Sequence, residues 1–245
     1  MVSRVQDQPA YLLHHRPFRD TSLLLDVFTR DHGRIALVAR GARSQKSKLK
    51  GILRPFLPLR IAWQARTDLG TLTGAELDGR PITLTGDALL SGYYVNELQL
   101  NFLHRHDPQP EAFEAYAETI ASLVGKASPA PQLRAFEIEL LKLLGYGLNL
   151  DHDAVSGVSL EAGRYYEFRP DQGPVAVSRE SGKRVFRGDQ LLAIGAGNFD
   201  DPETLGAASR LLRDVIAHHL GGKELKSRKV LVDLHRSRAK IAGRS

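Results

Sequence analysis

The part of this sequence best suited to chemistry is a run of basic residues that contains no acidic residue. Between Asp31 and Asp68 the chain has no Asp or Glu and nine Lys or Arg. Their charged groups can neutralise phosphates, a contact that carries no information about base identity. The run therefore predicts a surface that binds a polyanion such as a nucleic-acid backbone. The residues that we expect to make these contacts are Arg34, Arg40, Arg43, Lys46, Lys48, Lys50, Arg54 and Arg60.

The loop over residues 40–50 is the centre of this prediction. It is bounded by glycines and holds five of the expected contacts. Proteins that bind single strands combine such a cationic groove with aromatic surfaces on which bases stack. Phe18, Phe56 and Trp63 could supply those surfaces, although aromatic side chains in a small barrel more often belong to its core. The alternative is a solvated loop that is basic for solubility.

A second basic segment lies at the end of the sequence. Residues 1–79 and 220–245 each carry a net charge of +6, and residues 80–219 carry −6. The final segment could extend the nucleic-acid path or hold a second strand, with a solvated, frayed tail as the alternative. Within it we expect contacts from Lys226, Arg228 and Lys229. The other basic residues of the segment are Lys223, Arg236, Arg238, Lys240 and Arg244.

Clusters of His and Asp offer the other candidate chemistry. Asp151, His152 and Asp153 form the most metal-like group, and they would be the site if the protein were a hydrolase or nuclease. No second ligand cluster stands at zinc spacing, and the absence of Cys excludes thiolate sites and Cys nucleophiles. Neither a Gly-rich phosphate loop nor a Gly-x-Ser-x-Gly motif occurs. We therefore expect no enzymatic activity, no cofactor and no bound metal.

The composition is typical of a globular protein. Hydrophobic residues make up 42% of the chain and charged residues 25%. No apolar run approaches the roughly 18 residues that a membrane span needs, and the N-terminus has no apolar signal core. We therefore expect a cytoplasmic protein without a membrane anchor.

Short strands are predicted in the first third of the chain. Two of them are joined by a four-residue turn that ends at Gly33, which predicts a hairpin. Another is broken by Pro55 and Pro58, which favour a sheet edge or a bulge. About five strands in about 70 residues suit a small closed barrel such as the OB-fold. The strand-like segments are residues 11–13, 23–29, 34–40, 52–63 and 71–77.

Helical periodicity replaces the strand pattern after Pro81. Residues 149–187 are rich in Gly and charge, and we expect them to be irregular apart from a strand-like piece at 165–168. The fold class is therefore α+β, with a five-stranded OB-fold barrel over residues 1–80. An all-helical domain with a small irregular insertion follows over residues 81–245. The predicted helices cover residues 87–105, 111–124, 132–144, 189–196, 201–220 and 227–238.

The predicted helix over 132–144 is amphipathic, and Leu133, Arg134 and Phe136 are its candidate binding residues. A partner with an acidic tail that ends in an aromatic residue could place its ring in an apolar groove and its carboxylates on Arg134. Periodicity alone favours the alternative, a stripe of core residues.

A series of motifs, in order along nearly the whole chain, resembles the RecO family of DNA repair proteins. No single motif is specific, but the set is. The motifs are PFRDTSLLLDVFT (17–29), HGR (32–34), VARGARS (38–44), LRPFLPL (53–59), LGTLTGAE (69–76), YVNEL (94–98), LRAFE (133–137), LGYGLN (144–149) and LGGKELKSR (220–228).

The resemblance implies an N-terminal OB-fold, a helical C-terminal domain, binding to single- and double-stranded DNA, and annealing of complementary strands. It also implies work with RecR, which helps to load RecA onto strands coated by single-stranded-DNA-binding protein. The acidic C-terminal tail of that coating protein is the expected occupant of the 132–144 helix. A cytoplasmic, nucleoid-associated location follows from the same resemblance.

One departure from the family concerns metal. Many members carry a four-cysteine zinc module after the Gly-Tyr-Gly motif, whereas residues 149–187 contain no Cys. We therefore expect a metal-free, degenerate form of that module.

Two other functions stay open at this point. The protein could bind RNA, because OB-folds accept either kind of strand. It could also be a protein–protein adaptor without a direct nucleic-acid role, in which case alanine at positions 43, 46, 48 and 50 would leave its function intact.

Overall fold

The computed structural model of the protein describes residues 3–126, 128–178, 182–230 and 233. These residues fall into two compact units. Those up to 126 and those from 225 onward form the first unit, and those between 128 and 224 form the second. The first two helices after the barrel thus share a compact unit with it, and the described residues from 225 onward belong to that same unit.

A closed five-stranded barrel forms the centre of the first unit, as the strand pattern predicts. The strand order is β1-β2-β3-β5-β4, and β4 pairs with β1 to close the ring. All neighbours are antiparallel except β3 and β5, which run parallel. The predicted α+β class with an OB-like barrel is confirmed. The strands are β1 (Ser3–Phe18), β2 (Ser22–Thr29), β3 (Gly33–Ala39), β4 (Pro58–Ala65) and β5 (Leu69–Leu77).

Strand β1 is much longer than the three residues that the sequence pattern indicates. It spans 16 residues because its first half pairs with β4 and its second half with β2. The pairing register shifts between Val5 and Gln8, and again between Leu12 and His14. Such irregularities bend a strand, so β1 can follow the curvature of the barrel. They also interrupt the alternation from which a strand is predicted.

The barrel core consists of inward-facing apolar side chains from all five strands. Trp63 is 6% exposed and belongs to this core, and Phe56 is 4% exposed. Both are therefore buried, as is usual for aromatic side chains in a small barrel, and neither offers a face on which a base could stack. Phe18, the third aromatic candidate, is only partly buried.

The predicted hairpin joins β2 to β3, and its glycine has a geometric reason. Gly33 has a φ of +64°, and a Cβ atom placed there would lie 2.1 Å from the backbone oxygen of Asp107. Only glycine permits both the left-handed backbone and this close approach.

Two helices, α1 (Gly86–Phe102) and α2 (Pro110–Ser122), follow the barrel. Buried Asn96 on α1 connects three elements. Its Nδ2 donates to the backbone oxygen of Leu13 in β1 at 2.8 Å, and its Oδ1 accepts from the Tyr116 hydroxyl of α2 at 2.7 Å. The ring of Tyr116 also meets Tyr11 and Phe28 edge-on. These contacts attach both helices to the barrel.

The second unit combines three helices with a small antiparallel sheet of order β7-β6-β8. The sheet corrects the expectation that residues 149–187 are irregular, since three strands form there rather than one strand-like piece. The strand-like piece predicted at 165–168 is β6, whereas β7 shows no alternation of buried and exposed residues and β8 has only three residues. The elements are α3 (Ala130–Leu143), β6 (Tyr165–Arg169), β7 (Gly173–Val177), β8 (Val185–Arg187), α4 (Gly188–Gly195) and α5 (Pro202–His219).

Residues 226–230 are helical, at the start of the helix predicted over 227–238. The rest of that predicted helix, apart from residue 233, lies outside the described residues. So do four cations of the basic tail, Arg236, Arg238, Lys240 and Arg244. Among the helices that the structure describes, none is both long and apolar enough to cross a membrane.

We expect Asn96→Ala to lower the free energy of unfolding of the first unit by about 2–4 kcal/mol, because it leaves two buried polar groups without their partner. Tyr116→Phe removes only one of the two bonds and should cost about 1–2 kcal/mol. Urea titration followed by fluorescence of Trp63, the single Trp of the chain, measures both. Equal stability of wild type and Asn96→Ala would contradict this role.

Candidate nucleic-acid interface

The connection between β3 and β4 carries most of the predicted contacts, and it is anchored to the barrel. Ala42 and Leu53 are 2% and 5% exposed and belong to the barrel core. The backbone N–H of Arg43 donates to the Thr21 oxygen at 2.8 Å. A 3₁₀ turn at Lys48–Gly51 begins where the Ser47 hydroxyl accepts from the Leu49 N–H at 3.3 Å. The basic side chains therefore extend from a fixed base.

Six cations of this connection, which we call the loop cations, are all exposed. In the parts of the chain that the structure describes, none of them forms an ion pair with a carboxylate. Their positive charge is therefore available to an external anion. The loop cations are Arg40, Arg43, Lys46, Lys48, Lys50 and Arg54.

Three loop cations line a groove between the connection and the strands β1 and β2. Leu23, Leu49 and Leu53 supply apolar surface in this groove. A surface that offers both cations and apolar area suits a strand whose phosphates and bases bind side by side. The cations that line this loop groove are Arg43, Lys50 and Arg54.

Two adjoining depressions beside the β3–β5 pairing form a second cationic surface, which we call the seam groove. Arg40, Leu69 and Thr71 line both depressions. Arg4 and Arg66 line one of them. Phe18 and Arg19 line the other, with the Arg19 guanidinium carbon 5.3 Å from the centre of the Phe18 ring. The described residues that line these depressions include no Asp or Glu.

Sequence reasoning missed Arg4, Arg19 and Arg66 as site residues. Arg66 belongs to the acid-free run, but its position in the barrel could not be read from that run. Arg4 reaches the seam groove because β1 pairs with β4, where Arg4 stands opposite Gln64. The positive charge of the first 79 residues was the only signal in the sequence that could have pointed to these arginines. Their position in the barrel depends on pairing between distant strands, which cannot be read from one sequence.

Arg60 is not part of either cationic surface, and its ion pairs argue against its selection as a DNA contact, which stays a prediction. Its Nε donates to Asp78 Oδ2 at 2.9 Å, and its Nη1 lies 3.4 Å from Asp7 Oδ2. Both carboxylates come from outside the acid-free run, so the run alone suggested a free cation. Two carboxylates now neutralise this guanidinium.

Arg34 is also separate from the loop cations. It stands six residues before Arg40 on an extended strand, which places the two roughly 20 Å apart. Its Nε is buried and has no hydrogen-bond partner among the described residues. Burial lowers the pKa of Arg34, while Asp26 acts in the opposite direction. Asp26 itself binds Arg105 at 2.8 Å.

The predicted C-terminal contacts lie in the first compact unit, together with the barrel. Lys226 and Lys229 are exposed in the helical segment 226–230, whereas Arg228 is partly buried. Leu225, just before this segment, is 6% exposed. These side chains therefore belong to the same body as the loop cations.

The structure buries the residues predicted to bind a partner's tail. Leu133 and Phe136 are 7% and 3% exposed. The Arg134 side chain is 11% exposed and lies 2.5 Å from the buried Glu137 carboxylate. Their arrangement agrees with the core stripe that periodicity favours, and tail binding at α3 stays a prediction.

The described residues between 149 and 187, which we call the 149–187 module, do not fit a zinc ion. Among the described residues, no group of three or more His, Cys, Asp or Glu side chains is placed to hold a metal. His152 Nδ1 lies 2.9 Å from Asp151 Oδ1, whereas the Asp153 carboxylate is buried and bonded elsewhere. The triplet therefore does not converge on one point, and this arrangement gives no support to a nuclease site.

Instead, the Asp153 carboxylate joins two segments of the module. Its Oδ1 accepts from the N–H groups of Val155 and Ser156 at 2.9 and 2.8 Å, and from the Ser156 hydroxyl at 3.1 Å. Its Oδ2 accepts from the N–H of Ala176 in β7 at 2.7 Å. These donors, first Ser156 and then Ala176, lower the pKa of Asp153 from 3.8 to about 2.

The curated relatives and family models identify the kind of protein that this chain resembles. A model of the recombination protein O N-terminal region matches residues 2–79, and a model of its C-terminal region matches residues 84–229. "DNA repair protein RecO" of Nitrosococcus oceani is 46% identical over 235 residues, which cover 95% of each chain. The proteins of the same name from Dechloromonas aromatica and Azoarcus sp. are 45% and 44% identical. Each of these alignments covers 97% of the relative, and 95% and 94% of this chain respectively.

We expect Asp153→Asn to speed hydrogen exchange at the Ser156 and Ala176 amides, because an amide cannot accept all four bonds. Since the folded pKa is depressed, the stabilisation is present above about pH 4 and is lost as the pH falls toward about 2. Exchange measured by mass spectrometry from pH 7 to pH 2 tests both points.

The matched control for this variant is Asp151→Asn, whose side chain is 68% exposed. A metal chelator should leave the wild-type exchange unchanged. Equal protection in wild type and Asp153→Asn, or loss of protection with chelator, would contradict the role of Asp153.

Proposed function

Because the chain belongs to the RecO family of DNA repair proteins, we propose that it is a recombination mediator that binds DNA directly through its barrel. It binds single and double strands, anneals complementary strands and helps to load a recombinase. It has no catalytic centre of its own. It acts in the cytoplasm, associated with the nucleoid.

The observation that carries this proposal is the set of six loop cations, exposed and without carboxylate partners in the described parts of the chain. The core anchors Ala42 and Leu53 fix the connection that bears them. Cations held on a fixed base lose less conformational freedom when they meet phosphates than cations on a free chain do. The surface is therefore organised for a polyanion before the polyanion arrives.

The seam groove extends this surface across the barrel. Arg40 belongs both to the loop cations and to the seam groove, so the two surfaces are continuous at that residue. Leu69, which is 43% exposed, and the partly buried Phe18 add apolar area beside the cations. A single strand could follow the seam groove and the loop groove in turn, with phosphates on the cations and bases on the apolar patches.

Annealing requires that two strands be held at once. The loop cations offer one cationic surface, and the C-terminal segment with Lys226 and Lys229 offers a second within the same compact unit. Phosphate contacts do not discriminate sequence, and this suits a protein that pairs any complementary strands.

The partners of the proposed role are RecR, the acidic tail of single-stranded-DNA-binding protein and, indirectly, a RecA filament. Family membership supports a partnership in DNA repair. If the acidic tail binds at α3, the buried side chains of Leu133 and Phe136 must first rearrange.

RNA binding is the second candidate function. The exposed loop cations favour it over an adaptor role, because they suit contacts to phosphates. Guanidinium and ammonium groups bind the phosphates of RNA and DNA alike, and the 2′-hydroxyl must be read by other groups. Parallel titrations with DNA and RNA strands of the same sequence separate the two, and we expect DNA to bind more tightly.

Replacement of Arg43, Lys46, Lys48 and Lys50 by alanine should weaken binding to a single-stranded oligonucleotide. Each lost phosphate contact reduces the slope of log K against log salt by about 0.7, so the slope should become shallower by up to about 3. Fluorescence anisotropy at salt concentrations from about 50 to about 300 mM measures the change in slope.

The matched control removes the same charge from ion-paired arginines of the second unit. Each of these arginines lies within 3.5 Å of a carboxylate. The control should keep the wild-type slope. An unchanged slope in the loop variant would exclude these residues as the site and favour the adaptor. The control positions are Arg164, Arg169, Arg184 and Arg187.

A double variant, Arg4→Ala with Arg66→Ala, tests the seam groove. We expect it to weaken single-strand binding about tenfold at low salt, since each exposed charge contributes on the order of 0.5–1 kcal/mol to the free energy of binding. Arg60→Ala is the control because Asp7 and Asp78 already neutralise it. A double variant that binds like Arg60→Ala would remove the seam groove from the DNA path.

A further inference from the structure

Glu97 on α1 binds a segment of the chain that lies about 130 residues further along. Its Oε1 accepts from the backbone N–H of Lys226 at 2.9 Å. Its Oε2 accepts from the backbone N–H of Ser227 at 2.8 Å and from the Ser227 hydroxyl at 2.5 Å. Both carboxylate oxygens are thus bonded to the start of the helical segment 226–230.

The first N–H groups of a helix have no acceptor within the helix. A carboxylate supplies that acceptor and also interacts favourably with the positive end of the helix dipole. Bonds to a charged acceptor are stronger than bonds between neutral groups. The Glu97 carboxylate therefore fixes both the position and the start of the C-terminal segment.

The neighbouring residue, Asn96, binds in other directions, to Leu13 of β1 and to Tyr116 of α2. Two adjacent side chains of one helix therefore join the barrel, α2 and the C-terminal segment. The YVNEL motif (94–98) contains this pair, and the LGGKELKSR motif (220–228) contains the segment that Glu97 holds. Glu97 of the first motif meets Lys226 and Ser227 of the second within the first compact unit.

The segment held by Glu97 begins the strongly basic end of the chain. Residues 220–245 contain eight Lys or Arg and two Asp or Glu. Lys226 and Lys229 are exposed immediately beside the anchored backbone. The contact thus fixes where this positive charge starts relative to the barrel that carries the loop cations.

We infer that Glu97 is a positioning residue that holds the helical segment 226–230, with its exposed Lys226 and Lys229, so that a second nucleic-acid strand binds in a fixed place beside the first. This inference rests on the proposed function. One strand binds the loop cations, and the second binds the segment 226–230. A segment tethered without the anchor would still attract phosphates, but it would sample many positions and hold the strands together less often.

Glu97→Gln tests the inference, because the amide nitrogen of Gln cannot accept from Ser227. The matched control is Glu118→Gln, an exposed glutamate on α2 that loses the same charge. Three quantities are measured in the full chain. They are the rate of hydrogen exchange at the amides of residues 226 and 227, the affinity for a single strand of about 30 nucleotides, and the rate of annealing of complementary strands.

We expect at least tenfold faster exchange at the two amides in Glu97→Gln, an affinity for one strand within about twofold of wild type, and annealing slowed at least fivefold. Ser227→Ala keeps α1 intact and removes only the hydroxyl bond, so it should slow annealing about two- to threefold. Trp63 fluorescence reports whether each variant keeps its folded barrel.

Faster exchange with wild-type annealing would overturn the inference, as would unchanged exchange. An equal loss of single-strand affinity and of annealing would also overturn it, since Glu97 would then support the fold generally. A wild-type chain that binds no strand would overturn the proposed function and this inference together. The wild-type titration comes first, so this outcome is separated from a failure of the inference alone.

Discussion

Mutual repulsion among like charges is the constraint on which the candidate interface depends. Residues 40–54 contain six cations and no carboxylate, and each pair about 10 Å apart repels by about 0.4 kcal/mol in water before screening. Burial of a side chain such as Leu53 in the barrel core contributes about 2 kcal/mol in the opposite direction. The closed barrel therefore does more than support the connection, because its core offsets the cost of concentrating charge there. A phosphate backbone relieves the same repulsion, so binding and folding act on one set of residues.

Local patterns in the sequence predict the elements whose periodicity is complete within a short window. The β2–β3 hairpin is confirmed with its glycine turn, and α5 begins at the predicted signal, where the Asp201 carboxylate accepts from the Thr204 N–H at 2.8 Å. The strand-like piece at 165–168 is confirmed as β6, but the length of β1 and the strands β7 and β8 could not be predicted. The length of β1 depends on two irregular pairings, β7 has no alternating pattern, and β8 has only three residues.

Pairing between distant residues explains the remaining differences at the candidate site. The acid-free run identified the loop cations, but it could not show that Asp7 and Asp78 reach Arg60. For the same reason, the run could not reveal that β1 carries Arg4 to the seam groove. Charge composition therefore predicts that a surface exists, and the barrel closure decides which cations belong to it.

In the second unit, a single carboxylate organises a turn and attaches it to a strand. Asp153 accepts three hydrogen bonds within the 153–156 turn and one from the Ala176 N–H of β7, and no Cys occurs anywhere in the chain. Peroxide converts thiolates to sulfenic and higher acids and releases the metal that they hold, whereas a carboxylate is inert to it. The four hydrogen bonds that Asp153 accepts therefore persist under oxidative conditions that would alter a thiolate in the same place.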